Sequence, residues 1–143
     1  MTIGSHTLIA TQKFVDNNAS NNARAIGIAV NPPSMHVGNL DGVAATTGDV
    51  WSATVTITVH DAKHSPFGGV TVSGSWYPGS SVSQCVTNET GTCTVVLSSV
   101  PIATRMVSFS VSGMTLTGAV YKPAANHDPD GSSNGYSITV KRF

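Results

Sequence analysis

The 143-residue sequence has few of the residues that build helices. It contains a single glutamate, Glu89, and only four leucines, and no stretch of ten or more residues repeats apolar side chains at the helical period of about 3.6. β-Branched residues and the turn formers Gly, Asn, Asp and Pro are abundant instead. The composition therefore predicts an all-β fold and argues against a helical one.

Charged side chains are also scarce. Seven basic residues balance seven acidic ones, so the chain has no electrostatic reason to bind nucleic acid or an anionic membrane. A run of about 18 apolar residues is missing, which predicts no membrane span. The first residues lack the basic region and apolar run of a signal peptide, and we expect the chain to be a piece of a longer secreted protein.

Only two cysteines occur, Cys85 and Cys93, eight positions apart. Between them, Asn88 to Gly91 has the composition of a turn, flanked by Thr and Val. This pattern places the cysteines across a β-hairpin, where neighbours on paired strands are close enough to bridge. We predict a disulfide, and with it an oxidising compartment. Two buried free thiols are the alternative, and a metal pair is the least favoured interpretation.

Alternating apolar and polar residues mark the strands that are present. Residues 50–60 are the clearest case, and Trp51 and Trp76 both fall on the apolar faces of their strands, which favours core packing. Residues 35–37 are expected as a short edge strand and Asn39 to Gly42 as a turn. The spacing of strands and turns predicts about seven strands in the body, which favours a sandwich over a barrel.

The first thirty or so residues predict a separate hairpin. Strands are expected over 6–14 and 23–30, joined by a loop rich in Asp and Asn. The following Asn-Pro-Pro-Ser resembles a linker, so we place the domain boundary between 1–33 and 34–143. An isolated hairpin is at best marginally stable, and we expect it to dock either on another copy of the chain or on its own sandwich.

Five stretches of the body resemble a bacterial immunoglobulin-like (Ig-like) accessory domain, a type found near the C-termini of secreted subtilisin-like peptidases and other extracellular hydrolases. The stretches are Met35–Gly42, Thr58–Ala62, Val72–Trp76, Cys85–Cys93 and Tyr121–Gly131. The resemblance covers about residues 35–143 and implies an Ig-like β-sandwich. The preceding segment, up to Val30, is similar to the last hairpin of an adhesion-type Ig-like domain.

The resemblance implies a non-catalytic accessory module, a spacer or binding domain, of a secreted extracellular protein. Its partners would be neighbouring domains or other copies of the chain, and extracellular polysaccharide or protein. One alternative is a structural or adhesive subunit that assembles by β-strand addition; another is a glycan-binding module. An enzyme is not expected, because the many serines are not accompanied by an oxyanion-forming motif or any other catalytic constellation.

One candidate metal site lies in the Gly-rich loop near the C-terminus. Asp128, Asp130 and Asn134 offer oxygen atoms at near-alternate positions, which is a pattern able to hold calcium. The alternative is an Asx-turn loop in which the same side chains bond to the backbone. Calcium is the only cofactor that the loop suggests.

Two further features have a chemical and an ordinary interpretation. His60 and His64 flank Asp61 and are either part of a metal site, which needs three or four convergent ligands, or a pair facing solvent. Tyr77, beside Pro78, is the best candidate for an exposed aromatic ring that stacks on a sugar.

Overall fold

The structure, a computed structural model, describes residues 7–8, 26–27 and 29–143. The chain divides into two units, Met1–Pro32 and Pro33–Phe143. Among the described residues, no helix is long and apolar enough to cross a membrane.

The first unit contains a short antiparallel ladder. Strand β1 (Thr7–Leu8) pairs with β2 (Ile26–Gly27), with Thr7 opposite Gly27. The expected loop between the two strands lies outside the described residues. These four residues form a two-stranded sheet of their own.

The second unit is a two-layer β-sandwich. Its strands are β3 (Ser34–Thr47), β4 (Val50–Asp61), β5 (Thr71–Tyr77), β6 (Val82–Val86), β7 (Thr92–Pro101), β8 (Met106–Thr115), β9 (Val120–Tyr121) and β10 (Ser137–Lys141). One sheet has the order β10-β8-β5-β6 and the other β7-β4-β3-β9. Neighbours are antiparallel except β3 and β9, which run parallel. The prediction of an all-β sandwich is confirmed, with eight strands where about seven were expected.

Alternation along the strands fills the space between the sheets. Every second residue of β4 from Trp51 to Val59 is buried, while the residues between them are only partly covered. Trp51 and Trp76 are each 1% exposed, and the Trp76 ring packs 5.0 Å from that of Phe109. Each indole N–H is satisfied, that of Trp51 by the carbonyl of Thr104 and that of Trp76 by a serine hydroxyl. Both tryptophans therefore belong to the core, as their strand faces predicted.

The expected turn at residues 39–42 is wrong. β3 continues through this segment and pairs with β4 from Met35 to Thr47. The register shifts between Val37 and Asn39, so a β-bulge inserts Gly38. Because of the inserted residue, both Val37 and Leu40 are buried although they are three positions apart. The sequence shows only the break in alternation, which resembles a turn.

The Cys85–Cys93 disulfide is present, but the cysteines are not on paired strands. Cys85 lies on β6, at the edge of one sheet, and Cys93 on β7, at the edge of the other. The turn between them is anchored by Thr87, whose buried hydroxyl donates to the carbonyl of Phe67 and accepts from the amide of Val70. The expected hairpin is thus a connection between layers, and the disulfide joins the two sheets.

Candidate metal centre

Four histidines from three separate parts of the chain converge at one end of the sandwich. His36 lies on β3, His60 on β4, His64 in the loop after β4, and His127 in the connection before β10. When one ring nitrogen is taken from each histidine, the four nitrogens all lie within 4.8 Å of one another. The cluster therefore offers four imidazole ligands around a single point.

His36 and His60 form the base of the cluster. They are directly opposite each other in the β3–β4 ladder, which brings their side chains together on one face. Their neighbours Met35, Val37 and Val59 are buried in the core, so strand alternation points both rings to the outer face of the sheet. His36 is nevertheless only 3% exposed, because it is covered by the other histidines and by the C-terminal connection, the segment 116–136 between β8 and β10.

The bulge residue Gly38 makes room for the His60 ring. A Cβ atom on Gly38 would lie 2.2 Å from the Nδ1 atom of His60 and 2.5 Å from its Cε1 atom. Both distances are far inside van der Waals contact, so only glycine allows the imidazole to lie against the strand here. The bulge thus shapes the site as well as the register of β3.

His64 is the exposed member of the cluster and is presented by a tight turn. Its φ is 61°, a left-handed conformation that is costly for a residue with a side chain. The Asp61 carboxylate holds the turn, because its Oδ1 atom accepts the amide hydrogens of Lys63 at 2.8 Å and Ser65 at 2.9 Å. These bonds lower the pKa of Asp61, with that from Ser65 contributing most.

His127 is fixed by its neighbours in the connection. Its backbone amide donates to the carbonyl of Val37, and the adjacent Asn126 side chain accepts from the amide of Val37 at 2.9 Å. The Nδ1 atom of His127 lies 3.2 Å from the carbonyl oxygen of Ala125. Since a carbonyl only accepts, this contact places the proton on Nδ1 and leaves Nε2 free to bind a metal.

Two nitrogens of the cluster have no hydrogen-bond partner within the described chain. They are Nε2 of His36 and Nδ1 of His60, and both are buried. A buried polar atom without a partner is costly, and such atoms call for an explanation. Burial first, and then the neighbouring histidines, lower the pKa of both imidazoles. At His36 and His60 the surroundings therefore favour the neutral ring, which is the form that binds metal ions.

The chain matches no protein-family model, no curated protein and no solved structure.

The donor set restricts the ions that the cluster can hold. Imidazole nitrogen suits zinc, copper, nickel and iron, whereas calcium and magnesium require oxygen ligands.

The sequence offered two candidate metal sites, and one of them was the pair His60 and His64. The structure brings this pair together with His36 and His127, which the sequence did not connect with it. Three of the four, His36, His60 and His127, lie in stretches that carry the family resemblance. The resemblance marks these stretches in the sequence, but it gives no distance between the histidines.

The predicted calcium loop lies beside this cluster. The backbone amide of Gly131 donates to Asp128 and that of Ser132 to Asp130. Asn134 Oδ1 accepts from the amides of Tyr136 and Ser137, so its oxygen is used in a turn. The loop therefore contains the Asx-type bonds of the ordinary interpretation.

A third carboxylate, Asp41 on β3, interacts with Asp130. Burial, followed by the charge of Asp130, raises the pKa of Asp41. The pKa of Asp130 is lowered to about 2, first by the amide of Ser132 and then by Asp128. The Oδ2 atom of Asp128 is buried and has no partner among the described residues. Calcium binding by Asp128, Asp130 and Asn134 stays a prediction.

The remaining sequence candidate is Tyr77, at the end of β5. Its side chain is 75% exposed. Trp51 and Trp76 are buried and take no part in an aromatic surface. Sugar stacking at Tyr77 stays a prediction.

Proposed function

We propose that the chain is a non-catalytic, Ig-like accessory module of a secreted bacterial protein and that it binds one transition-metal ion through His36, His60, His64 and His127. The convergence of the four imidazoles supports the metal. The two-sheet sandwich and the family resemblance support the Ig-like module. The disulfide between the sheets supports an oxidising, extracellular location.

A four-histidine cluster needs a reason in a chain with so few ionisable groups. Only five histidines occur in the sequence, and four of them meet here. Without an ion, their rings place like charges together whenever they are protonated, and buried nitrogens remain without partners. An ion relieves the charge repulsion, because it binds neutral imidazoles through their lone pairs, and it would give a partner to any unpartnered nitrogen that ligates it.

Zinc binding to the whole chain tests the proposal. We expect isothermal titration calorimetry with zinc chloride to give one site per chain, and elemental analysis after dialysis to recover one zinc. His36→Ala and His60→Ala should each weaken binding by more than about 100-fold, since loss of even an outer-shell partner costs about 10–100-fold.

The fifth histidine provides the matched control. His6 lies outside the described residues, and His6→Ala removes the same side chain while leaving the cluster complete. It should bind zinc like the unmodified chain. Equal weakening in all three variants, or no stoichiometric binding of zinc, cobalt, nickel or copper, would refute the metal site.

Self-assembly through the N-terminal hairpin is the second candidate function. The observation that favours it is the separate two-stranded sheet of β1 and β2, since an isolated hairpin needs a partner to be stable. Strand addition to another copy would supply one.

A further inference from the structure

We infer that the four-histidine cluster is a closed, tetrahedral site of the zinc type that cross-links the C-terminal connection to strands β3 and β4. This inference rests on the proposed metal binding. It adds the coordination geometry, the class of ion and the consequence for the fold.

The spacing of the rings fits a tetrahedron. Zinc–nitrogen bonds of about 2.0–2.1 Å put each ring centroid about 3.2 Å from the ion, so four tetrahedral imidazoles have centroids about 5.2 Å apart. The six centroid distances in the cluster all lie between 4.9 and 6.1 Å. The rings thus surround one centre at nearly the right separation before any adjustment.

A square-planar arrangement does not fit. It needs two opposite pairs whose centroids are both about 1.4 times farther apart than the adjacent ones. The three ways of dividing the four rings into opposite pairs give 6.0 and 4.9 Å, 5.2 and 5.8 Å, and 5.1 and 6.1 Å. In none of these three divisions are both opposite pairs about 1.4 times farther apart than the adjacent rings. The geometry therefore favours zinc, which is tetrahedral in structural sites, over the square-planar preference of copper(II) or nickel(II).

Small side-chain rotations complete the coordination shell. The ligand nitrogens lie within 4.8 Å of one another, whereas nitrogens around a tetrahedral zinc are about 3.4 Å apart. His36 is buried and held on a strand, while His64 is exposed on its turn. His64 is therefore the ring with most freedom to move inward. Four protein ligands leave no position for water or substrate, as in structural zinc sites.

The ion would join parts of the chain that are far apart in sequence. His127 belongs to the connection between β8 and β10, residues 116–136, which contains only the two-residue β9 and a 3-10 turn, Pro123–Ala125. Its backbone amides at Val120, Lys122 and His127 donate to the carbonyls of Pro33, Met35 and Val37, but most of the connection lies outside the regular sheets. Connections of this kind are where folded proteins open locally. Coordination of His127 would suppress that opening.

Cobalt substitution tests the geometry. We expect cobalt chloride, added to the zinc-free whole chain, to give the intense visible ligand-field bands of tetrahedral cobalt(II), and one equivalent of zinc to remove them. The weak bands of octahedral cobalt would overturn the tetrahedral assignment even if zinc binds one to one.

Hydrogen exchange tests the cross-link. Zinc should slow amide exchange in peptides from 116–136 at least about threefold, while peptides from the central strand β5 change little, because local opening and global unfolding are separable. His127→Ala should fold but lose this protection, and His127→Gln repeats the test with a side chain of similar size. Zinc binding without slower exchange in 116–136 would overturn the cross-link. Absence of binding to any metal would instead refute the proposed function.

Discussion

Substitution of Gly38 by alanine tests the site through a residue that is not itself a ligand. The new Cβ atom would lie 2.2 Å from the Nδ1 atom of His60, and ordinary contact begins at 3.4 Å. The ring must therefore retreat by about 1.2 Å, whereas metal–ligand distances tolerate only about ±0.2 Å. We expect Gly38→Ala to remove His60 from the coordination shell and to weaken zinc binding about 100-fold or more.

Zinc-dependent thermal stability measures this loss. At a free zinc concentration of 100 times the dissociation constant of the unmodified chain, binding stabilises the fold by about 2.7 kcal/mol, and a 100-fold weaker site contributes about 0.4 kcal/mol. At about 4 °C per kcal/mol for a domain of this size, zinc should raise the Tm of the unmodified chain by about 11 °C and that of Gly38→Ala by about 2 °C. The zinc-induced shift is compared within each variant, which removes any cost of the substitution to the metal-free fold.

Gly113→Ala is the matched control. Gly113 lies on β8, where an added Cβ would meet no atom within 4 Å, and this variant should keep the full zinc shift. His60→Ala, which removes the ligand without crowding the strand, should behave like Gly38→Ala. A full zinc shift in Gly38→Ala would refute the placement of His60 in the site.

Four other results are expected. Under denaturing, non-reducing conditions the chain should take up no alkyl groups, and two after reduction, by intact mass; uptake of two without reductant would mean that Cys85 and Cys93 are free. Calcium, added to the metal-free chain, should raise the Tm relative to chelator if Asp128 and Asp130 hold it, and equal values would remove that site. The metal-free fold should lose stability as the pH falls below 6.5. The reason is that the pKa values of His36 and His60 in the folded chain lie below that ordinary value, so the unfolded chain binds more protons. A Tm that is constant between about pH 7.5 and pH 5.5 would contradict this. Deletion of residues 1–33 should leave a folded monomer by light scattering and circular dichroism, and a truncated chain that assembles like the full one would exclude assembly through the hairpin.

Local signals account for the parts of the fold that the sequence predicted well. The alternation from Trp51 to Val59 predicts a strand with one buried face, because side chains of a strand alternate between its two faces. The short spacing of Cys85 and Cys93 limits how far apart they can be, so the disulfide was predictable. Whether the two cysteines lie on one sheet or on two was not, since that depends on the path of the turn between them.

The metal site, by contrast, could not be predicted from local signals in the sequence. His36 and His127 are 91 positions apart in the sequence, and nothing local relates them. His60 and His64 were visible as a pair, but two imidazoles do not distinguish a metal site from a solvent-facing pair. The bulge at Gly38 was hidden as well, because a broken alternation is common to bulges and turns.

The amino-acid sequence by itself determined the class of this protein: an all-β sandwich with alternating core residues, a disulfide and little charge. These properties follow from residue types and short-range periodicity. Only the tertiary structure decided that β6 and β7 belong to different sheets, that β3 runs unbroken through a bulge, and that four histidines share one point. Each of these depends on the pairing of distant strands and on the return of the C-terminal connection across β3, and such long-range contacts are set by packing of the whole fold.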